Sequence, residues 1–425
     1  MIQHMKKQML LFLLLPLSVL GQQTEPLTLD KAYELARNNY PLIKQQDLIR
    51  QTRDLTIDNL STGFLPQVTL SGQATWQSEV TQIKIPIPGF SVTPPNKDQY
   101  KVLADISQLI YDGGVIREQK NIQQLAEKNE QQKLEVELYK LKDRINQLFM
   151  GVLYMDEQIK QVDLVKSDIN TGIKKVEAQV ENGVAFRSSL NVLKAELLKT
   201  NQRASELKAT RKGLIDVLSL LINTPLPDNL VLVKPVPAAV MNANTVNRPE
   251  INLYRSQSAL FNSQLKLINA RNKPKAGLFM QGGYGRPGLN FLNNDFSFYY
   301  TGGLRLSWSL SGLYTKKKEQ KLTALNIATV KLQEETFLLN TNSQLKQQQA
   351  EINRLQQLVD TDQEIIDLRI SIKDAAKAQL ENGVITSNDY LREVNAEDQA
   401  RQTLITHQLQ LLQAKINYQT ISGNQ

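Results

Sequence analysis

The sequence predicts a mainly α-helical chain with a membrane β-barrel portion: tandem-duplicated long helical hairpins and four transmembrane strands per chain. Three observations carry this. From Leu134 to Val180 apolar residues recur alternately three and four apart (Leu134, Leu138, Leu141, Ile145, Leu148, Val152 and onward), the period of a coiled-coil seam. Four other stretches alternate apolar with polar residues, the period of a strand. Finally, Ala178-Gln179-Val180-Glu181-Asn182-Gly183-Val184 returns 200 positions later as Ala378-Gln379-Leu380-Glu381-Asn382-Gly383-Val384, the mark of a duplication.

Bulk properties narrow the function classes. Of 425 residues, 41% are hydrophobic and 22% charged, enough apolar material for packed structure. The formal charge is +8, but basic residues are spread among acidic ones, which argues against a nucleic-acid surface. The one dense run, Lys316-Lys317-Lys318, sits at a strand-to-helix junction and reads as a solvated helix start or as a contact to lipid phosphates. Cysteine is absent, which excludes disulfides, thiolate metal sites, cysteine nucleophiles and a lipid-modified N-terminal cysteine. The two histidines, His4 and His407, cannot build a histidine cluster or a Ser-His-Asp triad in one mature chain. Neither an enzyme nor a cofactor or metal site is expected.

Lys6-Lys7 precede an apolar run, Met9 to Leu20, followed by small and apolar residues before Gln22. That is the pattern of a secretory signal peptide over residues 1–21; the run is too short to span a bilayer comfortably. Export is expected, with no transmembrane helix in the mature chain.

The elements then follow in order. A helix begins near Leu29, with Thr28 or Asp30 as N-cap, is interrupted at Pro41, resumes at Ile43 and ends at Thr62-Gly63. From Gln67 to Gln77 the alternation is strict, placing Val68, Leu70, Gly72, Ala74 and Trp76 on one face. A loop from Ser78 to Gln99 leads to a second strand, Tyr100 to Ile110, closed by Asp112-Gly113-Gly114. The long helix, Val115 to Val180, holds only Gly151 and Gly172 as breakers; at about 1.5 Å per residue it is a rod of roughly 100 Å. Glu181-Asn182-Gly183 stops it, and a return helix runs from Arg187 to Ile222. After a Pro- and Val-rich linker the order repeats: a helix to Lys273, a strand over Gly277 to Tyr284, and a strand with Phe296, Phe298, Tyr300, Leu304, Leu306, Trp308 and Leu310 on one face. A second long helix then runs to Leu380. The expected organisation is a signal peptide (1–21), a first repeat (22–222), an irregular linker (223–247) and a second repeat (248–425).

Two helices of half length sum to one long helix, so each repeat can form a rod by itself. The strands pattern as lipid-facing walls, with Trp76 and Trp308 toward strand ends where interfacial aromatics belong, and Tyr100, Tyr299 and Tyr300 as possible additions. Four strands cannot close a barrel and open edges are not tolerated in lipid, so two or three chains must pool strands to about eight or twelve. The alternative is a non-conducting periplasmic or surface coiled-coil scaffold, which the lipid-patterned strands argue against and which extraction by urea or carbonate, without detergent, would favour.

Several short motifs, in order across nearly the whole chain, resemble the TolC-like outer-membrane efflux protein family. They are Leu27-Thr28-Leu29-Asp30-Lys31-Ala32 with Asn39-Tyr40-Pro41, Phe64-Leu65-Pro66, Gln108-Leu109-Ile110-Tyr111-Asp112-Gly113-Gly114 and the two Glu-Asn-Gly-Val turns. The resemblance implies a homotrimer with a 12-stranded barrel in outer-membrane lipid and an α-helical tunnel through the periplasm. It further implies docking to a periplasmic adaptor and an inner-membrane pump, as a passive exit duct for drugs, metals or proteins. By the same resemblance Glu181, Asn182, Gly183, Val184 and Glu381, Asn382, Gly383, Val384 are adaptor-facing tips, and Asp389 narrows the tunnel. The next acidic position of that constriction is Arg392 here, the gate-tying Arg is Ile385, and its polar and acidic partners are Ser188 and Ser189. Asp389 reads equally well as a first-turn carboxylate stabilised by its helix dipole.

Overall fold

The structure is a computed structural model and describes residues 26–82, 89, 93–237 and 245–424; the expected signal peptide lies outside these. The first repeat contains helices α1 (Leu29–Asn39) and α2 (Gln45–Ser61), strands β1 (Gln67–Trp76) and β2 (Asp98–Tyr111), and helices α3 (Val115–Glu181) and α4 (Arg187–Ile222). The second contains α5 (Pro249–Arg271), β3 (Lys275–Arg286), β4 (Ser297–Ser307), α6 (Gly312–Glu381) and α7 (Ser387–Ser422). A short 3-10 turn over Pro41–Lys44 joins α1 to α2, because Pro41 supplies no donor to continue the α1 ladder.

Local chemistry sets the ends of these elements. Thr28, not Asp30, caps α1 by accepting from the Lys31 N–H. At the start of α3 the buried Asp112 carboxylate accepts from the N–H groups of Gly114 (2.8 Å) and Ile116 (2.5 Å). Gly113 and Gly114 turn the chain there with positive φ (77° and 91°), a conformation that costs glycine nothing. Among its described residues the linker contributes no strand beyond a parallel bridge, Leu27 to Leu232, held by Leu27 N–H to Val231 O and Val233 N–H to Leu27 O, both 3.0 Å.

The α3 seam is buried along most of its length. Around its middle Leu138, Ile145, Phe149 and Val152 meet α1, the end of α4 (Ile215, Leu218, Ile222) and the α7 residues Leu409, Leu412 and Ile416. Toward the far end Val165, Ile169, Ile173 and Val176 pack with Leu193, Leu380, Tyr390 and Val394. A third cluster joins α6 to α7 through Ile352, Leu355, Leu411 and Tyr418. Between the first two clusters the seam turns polar. Buried Gln158 and Gln161 face Arg203 and Asp398, with Arg203 donating to Gln158 (3.0 Å) and to Asp398 (3.1 Å), and Gln161 donating to Asp398 (3.2 Å). The two glycines of α3 are sites of close approach: an added Cβ would meet Leu214 at Gly151 (3.2 Å) and Tyr390 at Gly172 (3.1 Å).

The four strands form one antiparallel sheet in the order β1-β2-β3-β4, so among the described residues β1 and β4 each have one unpaired edge. Each strand pair is entered from a helix and left into a helix, with its connecting loop at the opposite end, which places all the helices beyond one end of the sheet.

Candidate functional site

Two regions carry chemistry that a purely structural rod would not need: the sheet and the opposite, hairpin ends of the helices. In the sheet the strand registers superpose the four alternations. Leu70 lies opposite Ala104, which lies opposite Gly282 and then Tyr300; Val68 continues through Ile106 and Met280; Gln108 leads to Leu278 and Leu304. One face is therefore apolar across all four strands, and it is bare: Leu70 is 75% exposed, Leu304 80% and Phe298 86%. The other face carries Thr69, Ser71, Gln73, Asp105, Gln281, Thr301 and Arg305, with Gln281 donating to Asp105 (2.6 Å) and the Arg305 guanidinium lying over the Phe279 ring. Strands of 10, 14, 12 and 11 residues reach the 9–11 or so that a tilted transmembrane strand requires. A bare apolar face on such strands is stable against lipid and not against water.

The tryptophans mark opposite rims. Trp76 ends β1 at the loop end of the sheet; Trp308 follows β4 at the helical end, where its indole N–H donates to the Asn272 carbonyl (3.0 Å). The loop-end rim also carries Tyr100, Tyr284, Phe296 and Phe298, in ring contacts centred 4.5–6.3 Å apart, and an Asp98–Arg286 ion pair. Tyr299 departs from expectation. It lies on the polar face, where its ring occupies the space a side chain at Gly283 would need, because odd-numbered β4 residues point away from Phe298 and Tyr300.

The two hairpin tips are structural twins. Each ends with Gly in the left-handed region, φ 72° at Gly183 and 69° at Gly383, and closes with Val184 N–H to Gln179 O (2.8 Å) and Val384 N–H to Gln379 O (2.9 Å). The Asn182 and Asn382 side chains donate 2.8 Å bonds to Ala178 and Ala378 carbonyls, so the Asn-Gly pair supplies both the C-cap bond and the turn. Val184 and Val384 stand about 70% exposed, as does Phe186 at 83%. Glu181 and Glu381 end their helices, and Glu381 pairs with Lys175 at 3.6 Å.

Asp389 is the third residue of a capping box. Its backbone N–H donates to the Thr386 hydroxyl (3.3 Å), while its carboxylate accepts from that hydroxyl (2.7 Å) and from the Thr386 backbone N–H (3.2 Å). Those hydrogen bonds, with Arg392 3.7 Å away, hold its carboxyl below the usual carboxylate range. Arg392 also pairs with Glu393 at 3.1 Å. Ser188 and Ser189 lie in the first turn of α4, and among the described residues no hydrogen bond or ion pair joins them to Asp389 or Arg392. Behind this end of the molecule, Lys373 of α6 bridges Asp168 of α3 (2.9 Å) and Glu397 of α7 (2.8 Å), and Arg401 completes the cluster. Burial opposes the Lys373 charge, but hydrogen bonds to Glu397 and Asp168 prevail and raise its pKa. For Glu397 burial is likewise overcome by bonds from Lys373 and Arg401, which lower its pKa.

Residues 32–221 match the family model described as outer membrane efflux protein. Solved structures share the whole fold. CusC, in a study of folding and transmembrane channel formation, matches with TM-score 0.67 at 13% identity, covering 93% of this chain and 92% of its own. The Campylobacter jejuni CmeC outer membrane channel gives 0.63 at 14%, covering 93% and 85%. The open-state Neisseria gonorrhoeae MtrE outer membrane channel gives 0.64 at 14%, covering 93% and 89%. No curated protein matches in sequence. Over residues 32–221 the chain is similar to the outer membrane efflux protein family, and its fold is that of the outer-membrane channels just named.

The matched segment, residues 32–221, takes in the first strand pair and the first helical hairpin except the last residue of α4, and the solved channels extend the likeness of fold to 93% of the chain. No helix among the described residues is long and apolar enough to cross a membrane. The sheet's bare apolar face is a separate observation and carries the lipid pattern by itself. The Lys373–Glu397–Asp168 cluster and the Gln158–Arg203–Asp398 layer were not visible in the sequence, because their members lie on different helices at no fixed spacing.

Proposed function

We propose that the chain is the passive exit duct of a tripartite export system, assembled from three copies in the outer membrane with the helices in the periplasm. The observation that carries this is the sheet: one bare apolar face, one polar face and two unpaired edges in a single chain. Unpaired backbone N–H and C=O groups are not tolerated in hydrocarbon, so the edges must be closed by other copies, and three give 12 strands around a polar lumen. Residues 1–21 would direct export and be removed. At the far end, Glu181–Val184 and Glu381–Val384 would present their twinned turns to a periplasmic adaptor, itself coupled to an inner-membrane pump. Copies of Asp389 and Arg392, with Ser188 and Ser189 opposite, would ring the narrowest part. There Arg392 offsets the charge of Asp389, so the pair adds no net charge to the path where two acidic residues would make it strongly negative.

The test combines the mass of the detergent-extracted complex with its conductance in a planar bilayer. Three chains per complex and discrete conductance are expected; a non-conducting monomer would refute the proposal.

A further inference from the structure

The helices pack in the order α2, α3, α5, α6, which leaves α2 beside the free β1 edge and α6 beside the free β4 edge. Each has an outer face with no neighbour among the described residues of the chain. On α6 that face is one straight stripe: Tyr314, Lys318, Lys321, Leu325, Leu332 and Leu339, all exposed, at spacings of four, three or seven that keep them within a narrow arc. On α2, which buries no residue in its own chain, Leu48 and Leu55 are exposed seven apart, flanked by exposed Asp54 and Asp58. Among the described residues Lys318, Lys321 and Asp58 have no ion-pair partner; Asp54 bonds the adjacent Arg53.

The two faces also match in height. Counting from the helix ends next to the sheet at 1.5 Å per residue, Asp58 and Asp54 lie about 5 and 10 Å along α2, while Lys318 and Lys321 lie about 9 and 14 Å along α6. Leu48 and Leu325 are both about 20 Å along by the same rise. The helix α2 runs toward the sheet and α6 away from it, so a pair of them is antiparallel, with acid meeting base near the sheet and leucine meeting leucine beyond.

We infer that the α6 stripe seats on α2 of a second copy of this chain, with Lys318 and Lys321 set against Asp54 and Asp58. The inference rests on the multi-chain duct proposed above and names the contact that orders its copies. The contact is heterologous: each chain gives its α6 face to one neighbour and its α2 face to the other, as a closed ring requires. The apolar stripe supplies the attraction and the charges fix register and direction. It also assigns a use to part of the Lys316–Lys318 run, whose other reading was lipid phosphate.

The experiment uses the full-length chain in detergent. Lys318→Glu with Lys321→Glu is expected to lose the trimer mass while keeping the wild-type helix content by circular dichroism. Adding Asp54→Lys and Asp58→Lys is expected to restore the trimer. If the wild type is itself monomeric, the duct reading falls and this inference with it. If the wild type is trimeric and the reversed variant keeps its mass and dissociation temperature, the contact is refuted and the duct stands. A reversed variant that stays trimeric but loses binding to phosphatidylglycerol vesicles would assign the lysines to lipid headgroups and overturn the inference. So would a trimer lost on reversal and not regained in the fourfold variant.

Discussion

A Cβ placed on Gly172, toward the tip end of α3, would lie 3.1 Å from Cε1 of the fully buried Tyr390 of α7. The two hairpins approach closely here, and a residue that weakens a helix in isolation permits that approach. Gly172→Leu should therefore destabilise the fold: better helix propensity contributes about 1 kcal/mol, against about 1–3 kcal/mol for overpacking and the strained ring. Thermal unfolding followed by circular dichroism would check the sign. Pairing it with Tyr390→Ala should recover part of the loss.

The Lys373–Glu397 pair predicts a pH dependence whose direction can be worked out. The folded-state pKa of Glu397 is lowered, so its contribution is present above its unfolded value and lost as pH falls through the lower, folded one. The Lys373 pKa is raised, so its contribution is present below its unfolded value and lost as pH rises through the higher, folded one. Glu397→Gln should make stability less steep on the acid side, below about pH 4.3, the ordinary Glu pKa. Melting temperatures from pH 3 to 6 for variant and wild type would show it; parallel curves would remove the pair from the acid transition.

Asp389 serves a helix cap and, by proposal, a constriction, and the two can be separated. Thr386→Ala removes the hydroxyl of the capping box and should cost about 1 kcal/mol of stability while leaving the charge in place. Asp389→Asn removes the charge and should lower cation preference in bilayer conductance. Unchanged ion selectivity in Asp389→Asn would take the residue out of the path.

The wall makes the fourth prediction. Leu304→Arg on the bare face should cost about 2–4 kcal/mol if it lies near the bilayer midplane, and reduce recovery in outer-membrane fractions. Thr301→Arg, on the polar face of the same strand, should leave recovery near wild type and alter conductance.

What the sequence made legible was periodic. The α3 stripe, the strand alternation and the twinned Glu-Asn-Gly-Val turns each encode their geometry in local spacing, and the structure places them at those positions. The strand expected over Gly277 to Tyr284 is longer, Lys275–Arg286, because edge residues pair without needing apolar side chains. Tyr299 was harder to place: three consecutive aromatics, Phe298 to Tyr300, suit either phase of a strand, and only the register against Gly283 decides which ring points where. The Lys373 cluster was out of reach for a different reason. Lys373 and Asp168 are separated by 205 positions, and charges of both signs are abundant, so no local pattern singles out the pair that meets.

The unpaired edges of β1 and β4 impose an order of events. A lone chain cannot enter lipid without exposing both rows of backbone polar groups, and cannot stay in water without exposing its apolar face. Insertion and association must then be one step, whose rate climbs more steeply than linearly with the supply of newly exported chains. At low supply the chain waits as an unfinished wall, its free edges and bare apolar face open to whatever else can cover them.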